Sequence, residues 1–325
     1  LFTALGASAS TLGLIHEYMD IWYLFAALVV FPMLCNSAIR ATGDTKWPSI
    51  LMMISGLVNA VLDPILIFGW GPIPAFGIAG AAWATVGAWL FASATAFYLL
   101  WHREKLLVFA LPPAGELFAV WRNVLVLAMP IALANMLGPV AIGALTAIVA
   151  RYGEHAVAAF GVGGRVEAFS LVVAFAITAA LSPYMAQNLG AGNRARANDA
   201  LRNCVRFIVA FQLVAYAVLA LLARPIVSIF SRDPMVVEVA VRYLYIMPLG
   251  VLSYAVIIVI NTAFNAHHRS GRTLALSVFR VAGCVVPLSL AGSWAFGLTG
   301  VFAGAVTGNA LAMVAAWMVY RRIEG

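Results

Sequence analysis

Apolar runs of about 20 residues recur along the chain, each closed by Gly, Pro or charge, and this is the length a helix needs to cross a bilayer. They predict segments at about 14–38, 47–69, 77–100, 122–150, 156–188, 201–223, 236–262, 273–293 and 297–320. The expected fold is an all-α polytopic membrane protein with about nine transmembrane helices. Alternating the links between the two sides tests the map. One side collects thirteen Lys and Arg (Arg40, Lys46, Arg103, Lys105, Arg122, Arg194, Arg196, Arg202, Arg206, Arg269, Arg272, Arg321, Arg322) and the other four (Arg151, Arg224, Arg232, Arg242), with Arg165 and Arg280 inside segments. Cationic links are retained on the cytoplasmic side. The richer side is therefore expected to be cytoplasmic, with the C-terminus, in the cell membrane.

Composition strengthens this reading. Hydrophobic residues make up 64% of the 325 and charged residues 10%, whereas a soluble domain carries about 25% charged residues. The net charge of +7 would raise nucleic acid as a partner in a soluble chain. Here the basic residues sit in short links, so topology and anionic lipid account for them and no nucleic-acid partner is expected. Cys35, Cys204 and Cys284 lie far apart within apolar segments, with no metal-ligand spacing. The link at about 101–121 is amphipathic, suits the membrane surface, and reads as a connection between two bundles.

The two ends of the chain resemble each other. Leu5, Tyr18 and Ile21 match Phe230, Tyr243 and Ile246 at an offset of 225. Phe76-Gly77-Ile78-Ala79-Gly80 matches Phe296-Gly297-Leu298-Thr299-Gly300 at an offset of 220, and Asp63-Pro64 lies opposite Val286-Pro287 at 223. The offset spans six segments, so both copies enter the membrane in the same direction, as a parallel repeat. Segments four to six have no partner earlier in the chain, and the chain opens on Leu1. Three further helices are expected upstream. The organisation is then 1–110 as half of a first lobe with three helices and a linker, and 111–325 as a second lobe with six.

Charges inside apolar segments cost about 2.5–3.5 kcal/mol each on insertion scales, so they mark candidate function. Asn59 and Asp63 stand at i and i+4 on one helix face, with Pro64 loosening the turn. An amide oxygen, a carboxylate and a freed carbonyl make a hard-oxygen site for Na⁺ or a proton, with Pro64 as its hinge. Asn36 and Thr85, on neighbouring segments, are candidates to face the same cavity. Arg165 and Glu167 are two residues apart and point to different faces, as candidates for a substrate cavity; Arg280 is a possible salt-bridge partner for Glu167. Gly161, Gly163 and Gly164 follow no strand and make no dinucleotide fingerprint. Arg40 to Pro48 and Gln187 to Asn193 read as capped turns, and Gly300, Gly304 and Gly308 as a small-residue packing face. No catalytic triad, zinc motif or phosphate loop is present in the sequence, so neither an enzyme nor an ATP-driven pump is expected.

Together these segments resemble the multidrug and toxic compound extrusion (MATE) family, most closely its prokaryotic DinF-like branch. The carriers are Arg40-Ala41-Thr42-Gly43-Asp44-Thr45-Lys46 with Pro48, Asn59 to Ile67, Gly77 to Ala82 with Ala84-Thr85, Arg165-Val166-Glu167 and Gln187 to Ala191. The resemblance implies a 6+6 two-lobed MATE-type fold of which this chain holds about nine helices, N-terminally truncated. It implies a monomeric antiporter exporting organic cations, drugs or other amphiphiles by alternating access, with H⁺ or Na⁺ as coupling ion and no cofactor. Asn36, Asn59 and Asp63 match the family's first-lobe cation site, whose further acid lies on a helix absent here. The acids that some relatives carry on the seventh and tenth helices have no counterpart in segments four and seven. The alternative is a flippase for lipid-linked oligosaccharides, which Arg165 and Arg280 favour.

Overall fold

The computed structural model describes residues 9–108 and 113–324; Leu5, one leg of the repeat, lies outside them. Apart from one bridge between Trp70 and Ile73, all regular structure among the described residues is helical. The chain divides into two compact units, Leu1–Leu111 and Pro112–Gly325.

The first unit holds α1 (Ala9–Leu24), α2 (Ala27–Ala41), α3 (Lys46–Phe68) and α4 (Gly77–Tyr98), the last widening into a π-helical turn, Leu99–Arg103. The single segment expected at 14–38 is two helices bent by 47°. At the break the backbone bonds tighten, from the Leu28 N–H to the Phe25 carbonyl and from the Val29 N–H to the Ala26 carbonyl. Pro32 follows one turn later, and its ring crowds the carbonyl of Leu28. The charged turn before α3 is a clasp. Asp44 Oδ1 accepts from the backbone N–H groups of Lys46 and Trp47 at 2.9 and 3.2 Å. Its Oδ2 pairs with Arg103 at 2.8 Å, fastening α3 to the end of α4. Desolvation works against the charged form, but these N–H groups and Arg103 hold the carboxyl below its ordinary value.

The second unit runs through α5 (Ala114–Val149), α6 (Glu154–Gly190), α7 (Arg194–Leu221), α8 (Ala223–Phe230), α9 (Pro234–Ala266), α10 (Ser270–Val278), a π-helical stretch Phe279–Val285, and α11 (Val286–Glu324). α5 begins inside the link expected at 101–121, because Pro113 sets the entry and Glu116 complements the helix N-terminus. α6 ends where expected, with Gly192 at φ +77° and the Asn193 N–H returning to the Asn188 carbonyl at 2.8 Å. The central helix is α9, against which α6, α7, α8, α10 and α11 all pack. It is apolar on every side, and 67% of its most apolar stretch is buried.

Among the described residues, seven helical stretches are long and apolar enough to cross a membrane, or eight if the bent pair is one span, against about nine expected. The difference lies partly in the last stretch. Ser270–Arg322 has 53 residues, about 80 Å of helix against about 30 Å of hydrocarbon. It turns back at Phe296 and Gly297, which leave helical geometry (Gly297 φ +61°, ψ −144°). A Cβ on Gly300 would collide with the backbone of Gly292, one on Gly304 with Leu288, and one on Gly308 with Val285. The paired numbers descend on one leg as they rise on the other, so the legs run antiparallel in backbone contact. The small-residue face read from the sequence is this seam.

The repeated pentapeptide does the same structural work twice. Gly77 (φ +57°) and Gly297 (φ +61°) both take the left-handed conformation that spares a glycine its steric penalty, and a helix leg follows each. Three residues on, Gly80 lies against the backbone of Leu66 and Gly300 against that of Gly292. Outer surfaces remain strongly apolar, with Phe68, Leu221, Ile229 and Trp294 between 77% and 82% exposed. Lipid hides such surface while the helices satisfy their own backbone. The chain is a multi-pass membrane protein.

Candidate functional site

Two groups of polar residues stand out, one in each unit. In the first unit, Asn36 is on α2, Asn59 and Asp63 on α3, and Thr85 on α4, three helices that pack on one another. Leu62 and Leu66 meet Gly87 and Gly80 of α4; Asn59 and Asp63 lie on that same face of α3 by the i+3 and i+4 rule. Asn36 is 5% exposed, with no partner for its Oδ1 among the described residues; the buried Asn59 Nδ2 is equally alone. Thr85 donates to its own helix, to the Ala81 carbonyl at 2.9 Å. No hydrogen bond joins any two of the four. α3 continues through Pro64.

In the second unit a cavity of about 560 Å³ opens among α5, α6, α9, α11 and the π-helical stretch. It falls within the about 300–1,000 Å³ of small-molecule sites. Its wall is largely apolar, with Leu145, Phe160, Met247 and Val251, and carries Arg165, Glu167, Tyr243, Tyr254, Arg280 and Asn309. Arg165 and Glu167, expected on different faces, both reach it. Arg165 is on the exposed side and Glu167 is buried.

Glu167 is 7% exposed. Tyr243 of α9 donates to its Oε2 at 2.7 Å, while Oε1 has no partner among the described residues. The α6 glycine run explains this approach. A Cβ on Gly163 would occupy the ring of Tyr243, so glycine there admits the phenol against α6. Phe160 and Phe302 hold the same ring edge-on at centroid distances of 5.6 and 5.2 Å. Below Glu167, the Ser170 hydroxyl donates to the Glu167 carbonyl at 2.8 Å and Gln212 donates to the Ser170 carbonyl at 3.2 Å. The expected Glu167–Arg280 pair is not formed: Arg280 donates to Asn309 Oδ1 at 3.2 Å and lies over the Tyr254 ring at 4.3 Å. Tyr243 entered the sequence reading only through the repeat, and Tyr254 and Asn309 not at all; a tyrosine or asparagine in an apolar run gives no sign of what faces it. Tyr243→Phe leaves both Glu167 oxygens unpartnered. It is expected to lower stability by about 1–3 kcal/mol, read as a lowered unfolding temperature in detergent. An unchanged temperature would show the bond to be idle.

The MatE family model matches residues 130–291. An FAD transporter of Shewanella oneidensis is 38% identical over 323 residues, 99% of this chain and 72% of that protein. The chain belongs to the MATE family. A mutant form of the Vibrio cholerae MATE transporter VcmN superposes with a TM-score of 0.90 at 28% identity, over 99% of this chain and 72% of that one. The multidrug export protein MepA of Staphylococcus haemolyticus is 26% identical over 297 residues, spanning 64% of its length. Membership places the chain among membrane transporters and not among enzymes. No cluster of three or more metal-ligating side chains occurs among the described residues.

Proposed function

We propose that the chain forms the greater part of an ion-coupled antiporter of the cell membrane, in the DinF-like branch, exporting amphiphilic organic compounds by alternating access. The observation that carries this is the second unit's cavity: apolar walls of drug-sized volume, with a buried acid that retains an unused oxygen. Such a wall takes hydrophobic solutes without fixing their shape, and an acid kept inside the bilayer at such cost marks a candidate site for a moving proton or cation. In this reading Asp63, Asn59, Asn36 and Thr85 bind the coupling H⁺ or Na⁺, Pro64 gives α3 its hinge, and Arg165 and Glu167 meet the solute. Ser270–Arg322 counts as two crossings, giving nine, with the C-terminus cytoplasmic. The repeat at 76–80 and 296–300 supports a 6+6 plan in which the second unit is a whole lobe and the first unit the closing half of the other.

The relative named as an FAD transporter favours a flavin nucleotide as the solute over a cationic drug. Arg165 and Arg280 on the cavity wall also suit the phosphates of a lipid-linked sugar, the flippase alternative. Everted vesicles containing the full-length protein, supplied with ethidium or FAD in the outer medium and given an imposed pH or Na⁺ gradient, test the reading. Solute movement driven by one of the gradients is expected. Movement by neither, with the protein present in the membrane, would end it.

A further inference from the structure

Arg280 is the most deeply placed cation among the described charges of the cavity, 7% exposed on the π-helical stretch Phe279–Val285. A π-helical turn inside a longer helix re-aims its side chains and often marks function. No carboxylate lies within ion-pair distance of Arg280 among the described residues, although Glu167 lines the same cavity. A guanidinium in the bilayer interior without a counter-charge is costly to keep, by about 2.5–3.5 kcal/mol on insertion scales. The structure satisfies it only in part. Of its five N–H donors, one reaches Asn309 Oδ1 at 3.2 Å. Asn309 is itself oriented, its Nδ2 donating to the Ala305 carbonyl at 3.0 Å, so its oxygen stays turned to Arg280. One face of the guanidinium is covered by Tyr254 at 4.3 Å. Among the described residues the remaining donors meet no acceptor, and Arg280 lines the cavity.

We propose that Arg280, steadied by Asn309 and Tyr254, is the seat for the phosphate or carboxylate of an aromatic substrate whose rings lie on the apolar wall near Phe160 and Met247. Glu167 is drawn off by Tyr243, which leaves the guanidinium free for a substrate anion. Exposed Arg165 adds a second positive charge at the cavity, so two cations face one acid. The chemistry selects nucleotide-like aromatic anions over the lipophilic cations that an efflux protein is first expected to carry. Guanidinium offers a planar, bidentate fork to phosphate, which a point charge does not.

The inference rests on the exporter reading, and one set of measurements separates the two. Full-length protein is titrated with riboflavin, riboflavin 5′-phosphate and FAD, following flavin fluorescence, as wild type, Arg280→Gln and Arg280→Lys. Wild type is expected to bind both phosphate-bearing flavins at least tenfold more tightly than riboflavin. Arg280→Gln should lose that tenfold and leave riboflavin binding within twofold, and Arg280→Lys should recover part of it. Equal affinity of wild type for all three flavins, or an equal loss for all three in Arg280→Gln, overturns the proposal. If Arg280→Gln does not fold, inorganic pyrophosphate competing with FAD but not with riboflavin on wild type supports the seat, and no competition overturns it. Nanodiscs of phosphatidylcholine and of phosphatidylglycerol decide the source of the phosphate. Flavin preference in both supports the solute, whereas its loss in phosphatidylglycerol gives the seat to lipid and overturns the assignment. Gradient-driven efflux of ethidium that ignores Arg280→Gln, together with equal flavin affinities, sinks the seat and keeps the exporter. No gradient-driven efflux of any solute sinks the exporter whatever the flavins do.

Discussion

Replacing Asp63 by Asn in the full-length transporter is expected to abolish ion-driven efflux while leaving the amount of protein in the membrane unchanged. Asn has nearly the same shape, so packing between α3 and α4 is kept. The substitution also removes a charge whose presence in an apolar helix costs about 2.5–3.5 kcal/mol, which folding does not need. What is lost is the carboxylate. Asp63 shares its helix face with Asn59, and the Asn36 Oδ1 and Asn59 Nδ2 nearby in the unit have no partners of their own among the described residues. Unfilled polar groups in the same three-helix unit as an acid suit a site vacated and refilled in each cycle; a permanent structural network would have closed them. A coupling cation held by only about 3 kcal/mol through that charge would bind more than about a hundredfold more weakly without it. Efflux of a fluorescent solute under imposed pH and Na⁺ gradients measures the effect. Undiminished gradient-driven efflux in Asp63→Asn would remove Asp63 from the coupling site.

Much of this architecture is readable before any coordinate. Apolar length places the helices, and the Phe-Gly-x-x-Gly pentapeptides mark two points where a positive φ and a close helix approach coincide. The bend at 47° between α1 and α2 was not readable, because no Gly or Pro stands at Phe25 or Ala26 and the cause sits at Pro32. Pro130, Pro139, Pro183 and Pro248 all lie inside helices that continue through them. A proline in a membrane helix therefore signals strain without saying whether neighbours absorb it. The cavity shows the same limit. Arg165 and Glu167 announce themselves as charges in apolar sequence. The phenol that takes Glu167 lies 76 residues away. Spacing along one helix fixes which residues share a face, but not which face of α9 turns toward α6. That rotation is set by contacts such as Gly163 against Tyr243, which become visible only with both helices in place.

The seam of the final hairpin carries the second large expectation. Gly304→Ala is expected to lower the unfolding temperature in detergent sharply, and Gly143→Ala to leave it unchanged or raise it. The two substitutions add the same methyl group to a helix interior. Alanine improves intrinsic helix propensity by about 0.8–1 kcal/mol at either site. Around Gly143 the added Cβ meets nothing within 4 Å. At Gly304 it would collide with the Leu288 carbonyl and lie 2.7 Å from the Ser289 Cα. Both obstacles are backbone, so no side chain can rotate away and the legs must part. Val301, Phe302 and Ala305 on the same leg are 0–1% exposed, and Phe302 packs on Tyr243 and Phe160, so a shifted leg disturbs the core beside it. Overpacking of this kind costs about 1–3 kcal/mol or more, enough to outweigh the propensity gain. The consequence reaches the cavity, because the legs that meet at Gly304 also carry Asn309 and lead back to Arg280, whose 3.2 Å contact depends on their separation. Gly304→Ala that folds at reduced temperature should therefore also weaken phosphate-bearing flavins relative to riboflavin. A variant as stable as wild type would show that the legs have room to give.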